Sequence, residues 1–295
     1  MARPIPAPRG DRALTPAPAS AIVPTVGRAA QLEACLDSLA ACEPAAGEIL
    51  VVDQSGAAEI KALAERFADA GARYVRCDGR GKPSGANLGL REARHESVLF
   101  TDDDCSPEIS WVGAALEALA AGPSTIATGR VLAPEASVYV PSTIDDSRPR
   151  EYVGVLHVSA IFGNNMAFNR DAVLGIGGFD ERFTLAADDN DLCYRWLRAG
   201  GRIRYEPEMV VWHHDWRSPD ELDGLYVRYA RFQGLFYAKH LREGDLGVVP
   251  FILRDIRDGV VGLRDRYFRG RPRGSDWRQG VLRGLPAGLL AGWRA

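Results

Sequence analysis

The feature that most constrains the fold is a fourfold alternation, between residues 20 and 122, of a short apolar run and a stretch with helical spacing. SAIVP precedes Leu32, Cys35, Leu36 and Leu39 at i, i+3, i+4 and i+7. EILVVD, ending in Asp53, precedes Ile60, Leu63, Ala64 and Phe67 at the same spacing. ARYVR leads through the Gly-rich DGRGKPSGANLG into a third helix, and SVLFT is followed by PEISWVGAALEALAAG, with Pro107 close to the first turn of a fourth. Continuous apolar runs are strands buried on both faces, and the amphipathic helices between them supply the cover. The expectation is an α/β fold with an open, mainly parallel sheet flanked by helices.

Beyond STIATGRVL the pattern loosens. APEASVYVPSTIDDSRPRE reads as a loop, and is followed by an apolar stretch, GNNMAF and GIGGFDE. A helix is expected from about Asp188 to Ala199, further strand in RIRYEPEMVVWHH, and an amphipathic helix over 218–242. From Arg254 onward ten Arg stand against four Asp. The chain therefore divides into a disordered Pro- and Ala-rich tail (1–19), two halves of one α/β domain (20–125 and 126–242) and a basic helical extension (243–295). The tail has no continuous apolar core, so it does not read as a secretory signal, and no apolar run approaches the ~18–20 residues of a membrane span. Five scattered cysteines without a CxxC pair read as reduced thiols, which suggests a cytoplasmic setting. A net charge of −3 gives no reason to expect nucleic acid.

Ligands of open α/β sheets sit beyond the carboxyl ends of the strands, where both Asp53 and the run Asp102-Asp103-Asp104 fall. In an extended segment Asp102 and Asp104 share a face and Asp103 points away. Such a pair is a hard-oxygen site suited to Mg²⁺ or Mn²⁺ together with substrate phosphates, or else a solvated acidic turn capping the next helix. A second acidic group, Asp188, Asp189 and Asp191, lies at a helix start, where it can complement the helix dipole. Asp189 there is also suited to act as a general base. In VVWHHDWRS the adjacent His213 and His214 face opposite ways, so at most one joins a given site, and either can be purely structural.

The ordered set P-T, VVD, G-x-x-x-x-x-N-x-G-L, DDD, GNNMAF, GGFDE, DDNDLCYRW and VVWHH resembles the family 2 inverting glycosyltransferases of the GT-A fold, over roughly residues 20–240. The resemblance implies a nucleoside-diphosphate sugar donor (UDP, GDP or dTDP), a hydroxyl-bearing acceptor and Mn²⁺ or Mg²⁺. It places Pro24, Thr25, Asp53, Lys82, Asn87, Asp102 and Asp103 on the donor side, with Asp103 expected to matter least of the triple. It assigns Asp104 and His213 to the metal, Asp189 to catalysis as base, and Asn164, Asn165, Gly178 and Asp188 to the acceptor and donor-sugar side. His214 and Arg217 are secondary candidates. One displacement would then invert the anomeric centre, with cell-envelope or polysaccharide synthesis as the setting.

Two departures stand out. Gly85-Ala86-Asn87 lacks an arginine beside the helix-starting Asn, which makes Lys82 or Arg80 the candidate for that charge, and Asp188 stands where Glu is usual. Rival readings are a sugar-nucleotide-binding scaffold with a dead site and a haloacid-dehalogenase-type phosphatase. The phosphatase needs a lysine between the two acidic motifs, and none lies between 104 and 188. The basic extension either docks peripherally on anionic lipid or packs on the core or on a second subunit of a homodimer.

Overall fold

The computed structural model describes residues 15–134, 140–154, 163–214, 217–272 and 276–294. The first half runs β1 (Ala17–Thr25), α1 (Ala29–Ala40), β2 (Ala46–Asp53), α2 (Ala58–Arg66), β3 (Ala72–Arg76), α3 (Lys82–Glu92), β4 (Ser97–Thr101), β5 (Cys105–Pro107) and α4 (Trp111–Leu119). The second runs β6 (Thr125–Leu132), β7 (Arg150–Val153), β8 (Asn165–Asn169), α5 (Arg170–Gly175), α6 (Asp188–Arg198), β9 (Arg202–His213) and α7 (Pro219–Arg242). Then come α8 (Val249–Phe268) and α9 (Arg278–Arg294).

Both halves build one sheet, in the order β3-β2-β1-β4-β8-β6-β9-β5, with β7 added to β9. The four strands of the apolar-run alternation pair in parallel. Past β4 the sheet is mixed: β8 runs antiparallel to both β4 and β6, while β6 and β9 are parallel. Successive residues serve opposite faces, as the pleat requires. Ile22, Leu50, Phe100 and Phe168 pack with Leu192 of α6 and Phe236 of α7. Val23, Val51 and Leu99 pack with Leu36 of α1 and Trp111 of α4.

Three boundaries differ from the sequence reading. β1 begins at Ala17, whose N–H donates to Ala45 O at 2.8 Å, so the last three residues of the expected tail are strand. Pro107 closes β5 and α4 starts at Trp111, because Cys105–Pro107 pairs with β9 at the sheet edge, where a proline costs no ladder bond. β7 starts on the last two residues of the segment expected to be loop and runs into the apolar stretch after it, held by the antiparallel pairing of Arg150–Val153 with β9.

The extension packs on the domain through backbone contact. Gly284 and Gly288 of α9 lie so close to α7 that a Cβ would sit 2.1 Å from Val227 O and 1.9 Å from Arg231 O. Gly288→Ala should therefore lower stability by about 1–3 kcal/mol in urea denaturation, the cost of overpacking a close contact. Gly224→Ala, in α7 with nothing among the described residues within 4 Å of its added Cβ, should instead raise it by about 1 kcal/mol through helix propensity. Among the described residues no helix is long and apolar enough to cross a membrane.

Candidate active site

The chain leaves β4 and turns at once: Cys105 N–H donates to Asp102 O at 3.1 Å. Residues 102–104 are therefore not extended, and strand alternation does not set the directions of the three carboxylates. Their partners do. Asp103, 1% exposed, accepts from Thr25 Oγ1 at 2.7 Å and from the guanidinium of Arg28. A second nitrogen of Arg28 donates to Asp104 Oδ2 at 2.6 Å. Asp102 turns outward to Lys82 Nζ, also at 2.6 Å.

The charges are strongly perturbed. Burial pushes the Asp103 carboxyl up to about 6 although Arg28 opposes the rise. Burial raises Asp102 too, with the Asp104 charge adding to it and Lys82 opposing it. Burial alone would lower Lys82, yet Asp102 and Asp188 hold its ammonium above the ordinary lysine range.

His213 lies across the β5–β9 pair from Cys105. Its Nδ1 is 2.9 Å from Pro141 O, an acceptor only, so Nδ1 carries the proton and Nε2 offers a lone pair. That lone pair is 3.6 Å from Asp104 Oδ1. Two donors each ~2.1 Å from one cation are about 3–3.6 Å apart, so Asp104 and His213 fit a shared divalent ion. The backbone carbonyl behind His213 is the outer-shell contact such a ligand needs. Cys105 Sγ lies within 4.8 Å of both donor atoms. Burial and the charges of Asp102 and Asp104 raise its thiol well above the ordinary range, and a soft sulfur is a poor match for Mn²⁺ or Mg²⁺ beside the N/O pair.

The second acidic group approaches from α6. Ala187, at φ +66°, turns the chain into the helix through left-handed backbone that a residue with a Cβ rarely adopts. Asp189 Oδ2 then accepts from Gly163 N–H at 2.8 Å and Oδ1 from Asn190 N–H at 2.8 Å. Gly163 O in turn accepts from Lys82 Nζ at 3.0 Å. Lys82 and Gly163 thus join Asp102 to Asp189, and a Cβ at residue 163 would meet Asp189 Cβ at 3.1 Å and Lys82 Nζ at 3.3 Å. Beside them Asn164 is 3% exposed and its side-chain amide has no partner among the described residues, while its backbone oxygen accepts from Thr101 Oγ1.

Asp188 is buried, its Oδ2 without a partner among the described residues, and burial followed by the Asp189 charge pushes it up to about 7. A carboxyl that holds its proton more tightly when folded costs nothing below pH ~4, its unfolded value, and increasingly destabilises the fold as the pH rises to about 7. Asp188→Asn should therefore raise Tm by at least about 2–4 °C at pH 8, equivalent to ~1 kcal/mol, and leave it unchanged at pH 4. Differential scanning fluorimetry of the ligand-free protein reads this directly.

Several expected residues also make contacts that hold the fold together. Asp53 is fully buried and accepts from Ser55 N–H and Oγ, Gly56 N–H and Tyr74 Oη, which spends its carboxylate on the turn after β2. Asn87 clamps the Gly-rich GGFDE segment: its amide donates to Phe179 O and accepts from Phe179 N–H. Gly178, at φ +67°, sits where a Cβ would come within 2.6 Å of that amide oxygen. Asn165 accepts from Trp111 Nε1 and donates to Arg130 O and Met209 O, holding β6 and β9 where their register shifts. Pro24 is buried against α3, and its Cβ lies 3.4 Å from where a Cβ at Gly85 would sit. His214 faces the other side, Nε2 against Ser106 Oγ at 3.0 Å, and half-buried Arg217 lies beside Glu221 at the start of α7. Asp191 is wholly structural: fully buried, it binds Arg195, Lys239 and His240 and ties α6 to α7.

Arg28 was not among the expected site residues. Its signal was available: three adjacent acids at a strand end need a cation, and Arg28 follows Thr25 just beyond the neighbouring strand. Arg80, the alternative to Lys82, lies exposed in the loop before α3.

A curated relative, the pre-mycofactocin glycosyltransferase of Mycobacterium tuberculosis, is 28% identical over 151 residues, covering 45% of this chain and 30% of its own. The glucosyl-dolichyl phosphate glucuronosyltransferase of Haloferax volcanii is 23% identical over 206 residues, covering 61% and 63%. The chain thus spans less than two thirds of the length of either relative. Among solved structures, S. aureus TarS 1-349 in complex with UDP superposes with a TM-score of 0.58 at 15% identity, covering 94% of this chain and 89% of that one. The Pyrobaculum calidifontis mannosyltransferase PcManGT, in complex with GDP-Man and Mn²⁺, gives 0.57 at 22% identity, covering 78% and 67%. At these identities the likeness shows a shared GT-A-type fold. The family model "Glycosyl transferase family 2" matches residues 20–173, from β1 through the two acidic strand ends to α5 and more than half of the chain, and the chain belongs to that family.

Proposed function

We propose that the protein transfers a sugar from a nucleoside-diphosphate sugar to a hydroxyl acceptor with inversion at the anomeric carbon. One observation carries the reading: Lys82 Nζ bonds both Asp102 Oδ1 at 2.6 Å and Gly163 O at 3.0 Å, and Gly163 N–H bonds Asp189. The acidic end of β4 and the acidic start of α6 thereby share one ammonium. A leaving diphosphate can use that charge while a carboxylate on the other side takes a proton.

Asp104 and His213 are the residues that would hold Mn²⁺ or Mg²⁺, and the ion would supply positive charge to the diphosphate. Lys82 adds a second, protein-borne cation on the same side and strengthens as water is excluded. Asp189, held by two backbone N–H groups, keeps a fixed orientation and accepts the proton of the attacking hydroxyl. Asp188, pushed up to about 7, can hydrogen-bond a sugar hydroxyl as donor or acceptor. The buried amide of Asn164, without a partner among the described residues, offers a further hydroxyl contact.

The test is a panel of UDP-, GDP- and dTDP-sugars screened by thermal shift with and without Mn²⁺, followed by NMR of the anomeric proton during turnover. A cation-dependent shift with one nucleotide class and an inverted product support the reading. A donor that binds but is neither hydrolysed nor transferred to any acceptor would favour a binding protein instead.

A further inference from the structure

We infer that the outer face of α8, together with Phe268 and Arg269 at its end, is a docking surface for an anionic phospholipid bilayer. The helix is amphipathic in the wrong sense for a water-facing one. Its buried positions are Asp255, Gly259, Gly262 and Asp265. Its exposed positions include Leu253 at 63%, Ile256 at 41%, Val260 at 55% and Tyr267 at 71%. At 3.6 residues per turn these four lie on one strip, where a surface helix carries its polar residues.

The helix cannot roll to hide that strip. Tyr237 Oη of α7 donates to Asp255 Oδ2 at 2.6 Å, both groups buried. A Cβ on Gly259 would meet Leu282 at 2.8 Å, and one on Gly262 would meet Arg278 at 2.8 Å, so α9 packs directly on the glycine side. The apolar strip faces outward because the inner face is fastened to α7 and α9.

The charge selects the occupant. Residues 249–295 contain ten Arg and four Asp with no Lys or Glu, a surplus of six positive charges in a chain whose net charge is −3. Arg257 and Arg264 flank the strip and are 71% and 52% exposed on their side chains. Several arginines are paired to aspartates here, and Asp223 of α7 pairs with Arg283 and lies near Arg266, but a positive surplus remains. Past the strip the helix ends in Phe268, 85% exposed, beside Arg269. Aromatic and arginine side chains together at the end of an apolar strip match the headgroup boundary of a bilayer. A second copy of the chain would bring the same positive surplus against itself, whereas an anionic leaflet complements it.

This surface goes beyond the sugar-transfer reading and shares no residue with the donor site. The test is co-sedimentation of the full chain with phosphatidylcholine vesicles containing about 30 mol % phosphatidylglycerol, against pure phosphatidylcholine, at low and high salt. Binding should be at least about tenfold stronger on the anionic vesicles and weaken at high salt. The double variant Leu253→Gln/Val260→Gln should lose about tenfold in partitioning, with an unchanged urea midpoint and an unchanged Mn²⁺/nucleotide thermal shift. Equal partitioning of variant and wild type would overturn the proposal. So would a dimer, seen by light scattering, that the double variant abolishes while vesicles capture neither protein. Because the nucleotide shift is read separately, loss of docking and loss of the sugar-transfer reading give different results.

Discussion

Asp189→Asn is expected to reduce sugar transfer by about 10²–10⁴-fold while the nucleotide- and cation-dependent thermal shift persists, the range a positioned general base contributes. The substitution preserves volume and removes only the ability to take a proton. One cost follows from the geometry. The carboxylate accepts from both Gly163 N–H and Asn190 N–H, and an amide has a single oxygen for the two. A small loss of apo stability, about 1 kcal/mol, should therefore accompany the loss of rate. Asp189→Glu separates the two effects. It keeps the charge but moves it by a methylene against Gly163, where even an added Cβ would lie 3.1 Å from Asp189 Cβ. Misplacement of a base by ~1 Å costs about 10²-fold, so Glu should be poor but measurably better than Asn. Full activity in Asp189→Asn would remove this residue from the proton-transfer role.

The parts of the fold legible in the chain are those written locally. Continuous apolar runs marked β1, β2 and β4, and i, i+3, i+4 spacing marked α1 and α2, because both patterns arise from burial on the faces of a single element. Strand-end acids marked the site, since open sheets bind ligands there. What the sequence hid is partner choice across long separations. Arg28 reaches Asp103 and Asp104 from 75 and 76 residues away, and Asn87 clamps Phe179 from 92. No periodicity encodes such pairs; they follow from the strand order, which sets β1 beside β4 and brings β8 between β4 and β6. The turn at 102–104 was also hidden, because three aspartates read equally well as extended chain. In α9 the spacing of Gly280, Gly284 and Gly288 was visible, but the backbone of α7 lying against it was not.

The same turn makes Asp103→Ala and Asp104→Ala fail in different ways. Asp103 is 1% exposed, accepts from Thr25 Oγ1 and is the main partner of the Arg28 guanidinium. Removing one member of a buried charged pair costs about 3–5 kcal/mol. Arg28 is partly solvated, with 37% of its side chain exposed, so the lower end of that range applies. Asp103→Ala should thus lower apo Tm by about 6–12 °C, at ~2–4 °C per kcal/mol, and keep a Mn²⁺-dependent shift at temperatures where it is folded. Asp104 keeps less of the fold together, since Arg28 retains Asp103 as partner when Asp104 is cut away. Asp104→Ala should change apo Tm by no more than about 2–4 °C, as for a loss near 1 kcal/mol. It should lose the Mn²⁺ shift and most transfer, because His213 alone is a poor site for a hard cation. Asp103→Asn tests the same point more gently: its amide oxygen still accepts from Thr25 Oγ1, so its Tm should fall between Asp103→Ala and wild type. In activity Asp104 therefore matters more, and in stability Asp103 does. If Asp103→Ala lost the cation response at unchanged Tm, Asp103 and not Asp104 would be the carboxylate that meets the metal.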